Sequence, residues 1–223
     1  MINSPVLPWE IITRIISFTD PSKCPILYCL YPELFPSEAR NKIKDDDLRR
    51  LLFWATKEGM KKLCQKIINL GGANETYIYH NMMEIAALNG HRHICELVKE
   101  KWEMTAFHDM IYGAAKGGHK ELCELAREWG ANSLVDLNWM LYGAAEGEQE
   151  DLCYLAKKWG ACDFYGMIHC VRAYKSSPNR KLLDLAIKWK DEWEDSVRPF
   201  LWKTIYERTR GKWGMIKKEY IND

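Results

Sequence analysis

DMIYGAAKGGHKELCELAREWGAN, residues 109–132, is the stretch from which the fold can be read. Met110 to Lys116 predicts a short helix, and its small residues Gly113, Ala114 and Ala115 leave room for the next helix to approach closely. Gly117 and Gly118 end that helix, because glycine accepts the positive φ of a helix C-terminus. Leu122, Cys123, Leu125, Ala126 and Trp129 then follow the i, i+3, i+4, i+7 spacing of an amphipathic second helix, which Gly130 stops. The unit reads as helix, tight turn, helix, and then a loop of roughly ten residues.

Working outward, the same unit recurs. The segments ATKEGMKKLC (55–64), AALNGHRHIC (86–95), AAKGGHKELC (114–123) and AAEGEQEDLC (144–153) place Cys64, Cys95, Cys123 and Cys153 at intervals of 31, 28 and 30 residues. A fixed period of this length marks stacked supersecondary units, each burying an apolar face it cannot bury alone. A degenerate fifth unit, 167–189, keeps the phase through Leu183, while Ser176, Ser177, Pro178 and Asn179 replace the glycine turn. Stacks of this kind are recognition surfaces far more often than reaction vessels. The expected fold is all-α, a solenoid of four to five helix-turn-helix repeats closed by N- and C-terminal helical caps.

The chain has eight cysteines, and their periodicity argues against a disulfide framework. Equivalent residues of stacked layers lie about 10 Å apart, beyond the Cα spacing a bridge tolerates. Reduced core thiols and an intracellular, reducing compartment, cytoplasm or nucleus, are expected instead. Net charge is +1, so no global field draws the chain to nucleic acid or an acidic membrane. No stretch approaches the roughly 18 apolar residues of a membrane span. The N-terminus lacks the basic region of a signal peptide.

The alternation of Ala-Ala, Gly-His turn (Gly90-His91, Gly118-His119) and Gly-Ala-Asn ending (Gly72 to Asn74, Gly130 to Asn132) resembles the ankyrin repeat. The units depart from that family where Thr-Pro-Leu-His would open the first helix; here DMIY, NMME and WMLY stand in its place. They are also shorter than the usual 33 residues. The style is similar to ankyrin-like proteins of large DNA viruses, which would make this a viral protein acting on a host. On the resemblance, repeats span 48–190, and 191–223 forms a C-terminal capping helix and tail.

The opening 1–40 falls outside the period. LPWEIITRIISF, 7–18, resembles the start of an F-box through Leu7, Pro8, Glu10, Ile11, Ile15 and Phe18. That family implies docking to a Skp1-type adaptor of a cullin ubiquitin ligase, with Ile11, Ile15 and Phe18 as groove anchors. The same isoleucines can equally fold back as the N-terminal cap.

No Walker loop, dinucleotide fingerprint, HExxH or CxxC occurs, so no enzyme and no cofactor are expected. His91, His93 and Cys95 could suggest zinc, but His91 matches the turn histidine His119 and Cys95 the periodic core thiol, so no metal is expected. His119 and Cys123 could likewise suggest a catalytic pair, which buried thiols do not make. Trp102, Trp129, Trp159 and Trp189 recur near the ends of second helices; packing between units explains them better than an aromatic ligand ladder. The tail 198–218 carries seven Lys or Arg against one Glu, interleaved with aromatics. It reads either as a solvated cap or as a nucleic-acid surface.

The function expected is therefore protein binding by a monomer of no membrane attachment. The candidate partner surface is the concave face of first helices and preceding loops: Trp54, Lys57, Glu58, Ile85, Leu88, Asn89, Lys116 and Glu146, with Tyr77, Tyr79, His80, Phe107, His108, Asn138 and Trp139 on the loops. Nucleic-acid binding through the tail is the alternative.

Overall fold

The computed structural model describes residues 25–31, 43–73, 75–102, 107–173 and 179–209, and among them there is no strand. The chain divides into two compact units, Met1–Ala161 and Cys162–Asp223. In the first, a short helix α1 (Pro25–Leu30) precedes four helical pairs: α2 (Asp45–Lys57) with α3 (Lys61–Asn69), α4 (Thr76–Leu88) with α5 (Arg92–Trp102), α6 (His108–Gly117) with α7 (Lys120–Trp129), and α8 (Leu134–Glu146) with α9 (Glu150–Trp159). The second unit holds α10 (Phe164–Ala173) and α11 (Arg180–Thr209).

The pairs are layers. Each second helix packs on its own first helix, and first helices pack on one another in the order α2, α4, α6, α8. Glycine sets how closely. A Cβ on Gly113 would lie 2.4 Å from the Glu84 carbonyl oxygen, and one on Gly143 would lie 2.3 Å from that of Tyr112. Gly117 and Gly147 meet Leu88 O and Lys116 O at 2.2 and 2.0 Å in the same way. The backbones of α6 and α8 thus rest directly on the preceding helix. The small residues of α6 do permit close approach, and Gly113 directs it toward the helix before rather than the one after. Ile85 and Asn89 hold the matching positions of α4, so α4 meets α2 over a smaller area.

The core repeats with the sequence. Cys64, Cys95, Cys123 and Cys153 are all free and fully buried, and Leu63, Ile94, Leu122 and Leu152 before them are buried too. Ala86-Ala87, Ala114-Ala115 and Ala144-Ala145 fill the first-helix side of each layer. In the opening layer Thr56 replaces the second alanine, and its hydroxyl donates to Leu52 O at 2.8 Å, so no buried polar group is stranded.

The turns are stacked as well. Gly59, Gly90 and Gly118 sit at φ 69°, 75° and 80°. The ring of His91 covers Gly59 and that of His119 covers Gly90, at 2.9 and 2.8 Å from where a Cβ would stand. His91 Nε2 donates to Lys57 O at 2.7 Å, and His119 Nε2 donates to Leu88 O at 3.1 Å. Each turn histidine thus ties its layer to the carbonyl end of the preceding first helix. In the fourth turn Gln149 takes the histidine's place, and Glu148 carries the positive φ, 57°, without being glycine.

The connections are shorter than the sequence suggests. Only 130–133 separate α7 from α8, and 160–163 separate α9 from α10. The difference lies in the first helices: α4 and α8 run 13 residues each. At the start of α8, Ser133 Oγ accepts from Asp136 N while Asp136 Oδ2 accepts from Ser133 N, a reciprocal cap that starts the helix at Leu134. Tyr77, Tyr79, His80, His108, Asn138 and Trp139, expected on loops, are therefore helical.

In the second unit Phe164 and Trp189 are buried edge to face, ring centroids 5.8 Å apart, and Tyr165 hydrogen-bonds Glu194. α11 continues unbroken past 190, where the sequence divides repeat from cap. The F-box-like positions Leu7, Pro8, Glu10, Ile11, Ile15 and Phe18 lie outside the described residues, as do the turn 176–178 and the tail from Arg210.

Candidate functional site

The layered order turns sequence period into surface geometry. Counting back from the periodic cysteines Cys95, Cys123 and Cys153 gives four columns along the first helices. They are His80, His108 and Asn138; Asn81, Asp109 and Trp139; Glu84, Tyr112 and Tyr142; and Leu88, Lys116 and Glu146. All twelve are partly or well exposed, whereas the alanines on the other side of the same helices are buried. This face changes from charged to aromatic to aliphatic side chains between layers, while the core positions stay apolar.

Contacts along the face cross between layers. Trp139, 41% exposed, stands edge-on to both Tyr112 and Tyr142, with centroids 5.6 and 5.8 Å away. His108 tilts against Trp139 at 6.3 Å and against His80 at 5.9 Å. His80 Nδ1 donates to Asp109 Oδ2 at 2.5 Å. Lys116 Nζ donates to Glu146 Oε2 at 2.7 Å and to the Tyr112 hydroxyl at 3.2 Å, and Tyr112 in turn donates to Glu146 at 2.7 Å. Burial, reinforced by the bond to Glu146, pushes the Tyr112 phenol up to about 12. Burial works to lower Lys116, but its bonds to Glu146 and Tyr112 outweigh that, and its ammonium is held charged. Tyr112, Lys116 and Glu146 form a fixed triad that braces the aromatic cluster.

The expected partner residues divide. His80, His108, Leu88, Lys116, Trp139 and Glu146 fall on this face, together with Asn138. Trp54, 42% exposed, and the exposed Lys57 and Glu58 end α2, while Tyr77 opens α4 with its hydroxyl bonded to Arg49. Ile85 is half-buried, and Asn89 donates its amide to Ile85 O at 2.8 Å. Tyr79 and Phe107 are a correction: at 4% and 3% exposure they belong to the core. Tyr79 stacks on Trp102 at 4.4 Å and Phe107 meets Trp129 at 5.6 Å, because both positions turn inward beneath the second helices. Tyr112, Tyr142 and Asp109 are the face residues that motif reading passes over. Their signal was the period itself, since tyrosines 112 and 142 stand eleven residues before Cys123 and Cys153.

On the opposite side, Lys99 Nζ sits 4.2 Å above the Trp129 ring, and Arg127 Cζ sits 4.3 Å above that of Trp159. These are equivalent pairs one layer apart, each a cation held over an indole face. They give the periodic tryptophans an interlayer packing role. The thiols are poor nucleophiles: burial pushes Cys95, Cys123 and Cys153 up to about 12, and raises Cys64 as well. At the turn, Cys95 is fully buried and His91 and His93 donate to Lys57 O and Gly59 O, so those three do not converge on an ion.

No helix among the described residues is long and apolar enough to cross a membrane. No protein-family model, no curated protein and no solved structure matches the chain.

Proposed function

We propose that the chain is a protein-interaction scaffold, an ankyrin-like array of four to five repeats whose first-helix face captures a protein partner. One observation carries the reading: Trp139, Tyr112 and Tyr142 form a half-open aromatic cluster spanning two layers, on a face whose side chains vary in character over a core that stays apolar. Rigid, partly exposed aromatics braced by a neighbouring ion pair are what anchor a partner, because little side-chain freedom is lost on binding. The core thiols are buried and raised, which argues against a thiol nucleophile.

The test is capture from cell lysate by the immobilised full chain, read by mass spectrometry. Trp139→Ala with Tyr112→Ala should lose the specific partner, a loss of about 2 kcal/mol or more for an anchor of this type. Tyr154→Ala, exposed on α9, should retain it. A partner set indifferent to the Trp139 and Tyr112 changes refutes the scaffold face. Skp1 and cullin peptides lost on Ile11→Asp with Ile15→Asp would assign the N-terminal segment the adaptor role its resemblance implies. Their absence from wild type would discard that role.

A further inference from the structure

His80, His108 and Asp109 are the one group of three His, Cys, Asp or Glu side chains among the described residues whose ligand atoms all lie within 4.8 Å of one another. The period creates it. His80 and His108 are 28 residues apart, the interval from Cys95 to Cys123, so they occupy the same position in adjacent layers and their rings are neighbours at 5.9 Å. Asp109, next in sequence to His108, directs one oxygen at both: Oδ2 is 2.5 Å from His80 Nδ1 and 3.5 Å from His108 Nε2.

We propose that these three residues bind a divalent transition-metal ion of the Zn2+ type, bridging α4 and α6. Two imidazole nitrogens and a carboxylate oxygen are a donor set suited to Zn2+, and too nitrogen-rich for Mg2+ or Ca2+. Bond lengths of about 2.0–2.1 Å at a tetrahedral ion separate its ligand atoms by about 3.3 Å. The pair His108–Asp109 already stands at 3.5 Å. His80 and Asp109 need to part by about 0.8 Å from their 2.5 Å hydrogen bond, and the two imidazole nitrogens, within 4.8 Å of each other, need to close toward about 3.3 Å, which side chains 34%, 34% and 22% exposed can do. The ion takes the place of the proton in that bond. His80 changes tautomer, carrying its proton on Nε2 and offering the Nδ1 lone pair, so neutral imidazole is conserved. The remaining coordination position is left to water or to a donor from outside the chain. This site stands on three side chains alone; a chain that captures no protein would still hold the ion.

The test is titration of the metal-stripped full chain with Zn2+ by calorimetry, beside Co2+ absorption spectra. The expected result is one ion per chain, with binding weakened about tenfold or more in each of His80→Ala, His108→Ala and Asp109→Asn, since even outer-shell partners carry about 10–100-fold. Cys162→Ser with Cys170→Ser, the partly exposed thiols of the second unit, should leave that affinity unchanged. The Co2+ complex should lack thiolate charge-transfer bands. All three ligands are partly exposed, so the replacements should keep the unfolding midpoint measured in chelator; His80→Gln and His108→Gln serve if an alanine variant shifts it. Absence of Zn2+ binding, binding undiminished by the histidine changes, or a Co2+ spectrum dominated by thiolate each overturns the proposal.

Discussion

A thiol at each layer's centre has consequences for reactivity. Cys95, Cys123 and Cys153 ionise only near 12 because burial disfavours the thiolate, so almost none is present at neutral pH. Iodoacetamide should label Cys162 and Cys170 before these three, which react only as fast as the protein opens. Mass-spectrometric site mapping over time would show it; rapid labelling of any one of the three in folded protein would contradict it. Glu84 offers a second test. Burial raises its carboxyl, Lys116 opposes the rise, and Asp109 and Glu146 add to it. A carboxyl raised on folding makes its charged form a cost to the fold, present above the folded pKa and gone below the unfolded one. Glu84→Gln should therefore be more stable than the parent at about pH 7. The margin should vanish by about pH 3.5, as followed by urea unfolding at both pH values.

Within an element, glycine placement decides the spacing of layers. Gly143→Ala puts a methyl 2.3 Å from the Tyr112 carbonyl, which is backbone and cannot yield. Separating α8 from α6 should cost about 1–3 kcal/mol, measurable as a lower denaturation midpoint. Glu148 provides the opposite case, since its φ of 57° is strained for a side chain bearing a Cβ. Glu148→Gly should be stabilising by about 0.5–1 kcal/mol, the relief of left-handed strain less the entropy glycine loses on folding. The turn glycine Gly118 was legible because its positive φ is a local need that AAKGG writes into the sequence, whereas Gly143 acts across layers and no local pattern marks it. First-helix length is harder to read from a single unit, although the Ser133-x-x-Asp136 cap that extends α8 is itself a sequence signal. The burial of Tyr79 and Phe107 is hidden from the sequence for a different reason. An aromatic before a helix looks exposed until the start of that helix is known, and its facing follows from the register. The His80–His108–Asp109 cluster needed two layers to be superposed, something no single motif displays.

At the scale of the whole chain, four helical pairs lie in sequence order within Met1–Ala161. Glu96, Glu124 and Tyr154 each follow a periodic cysteine and occupy one position on successive second helices α5, α7 and α9. Spin labels introduced there as non-cysteine amino acids give the most direct measurement of this order by electron paramagnetic resonance. Layers separated by about 10 Å predict that 96–124 and 124–154 lie at one such step and that 96–154 lies near twice it, about 20 Å. A 96–154 separation no greater than that of the adjacent pairs would contradict the layered order, and with it the face proposed to capture a partner.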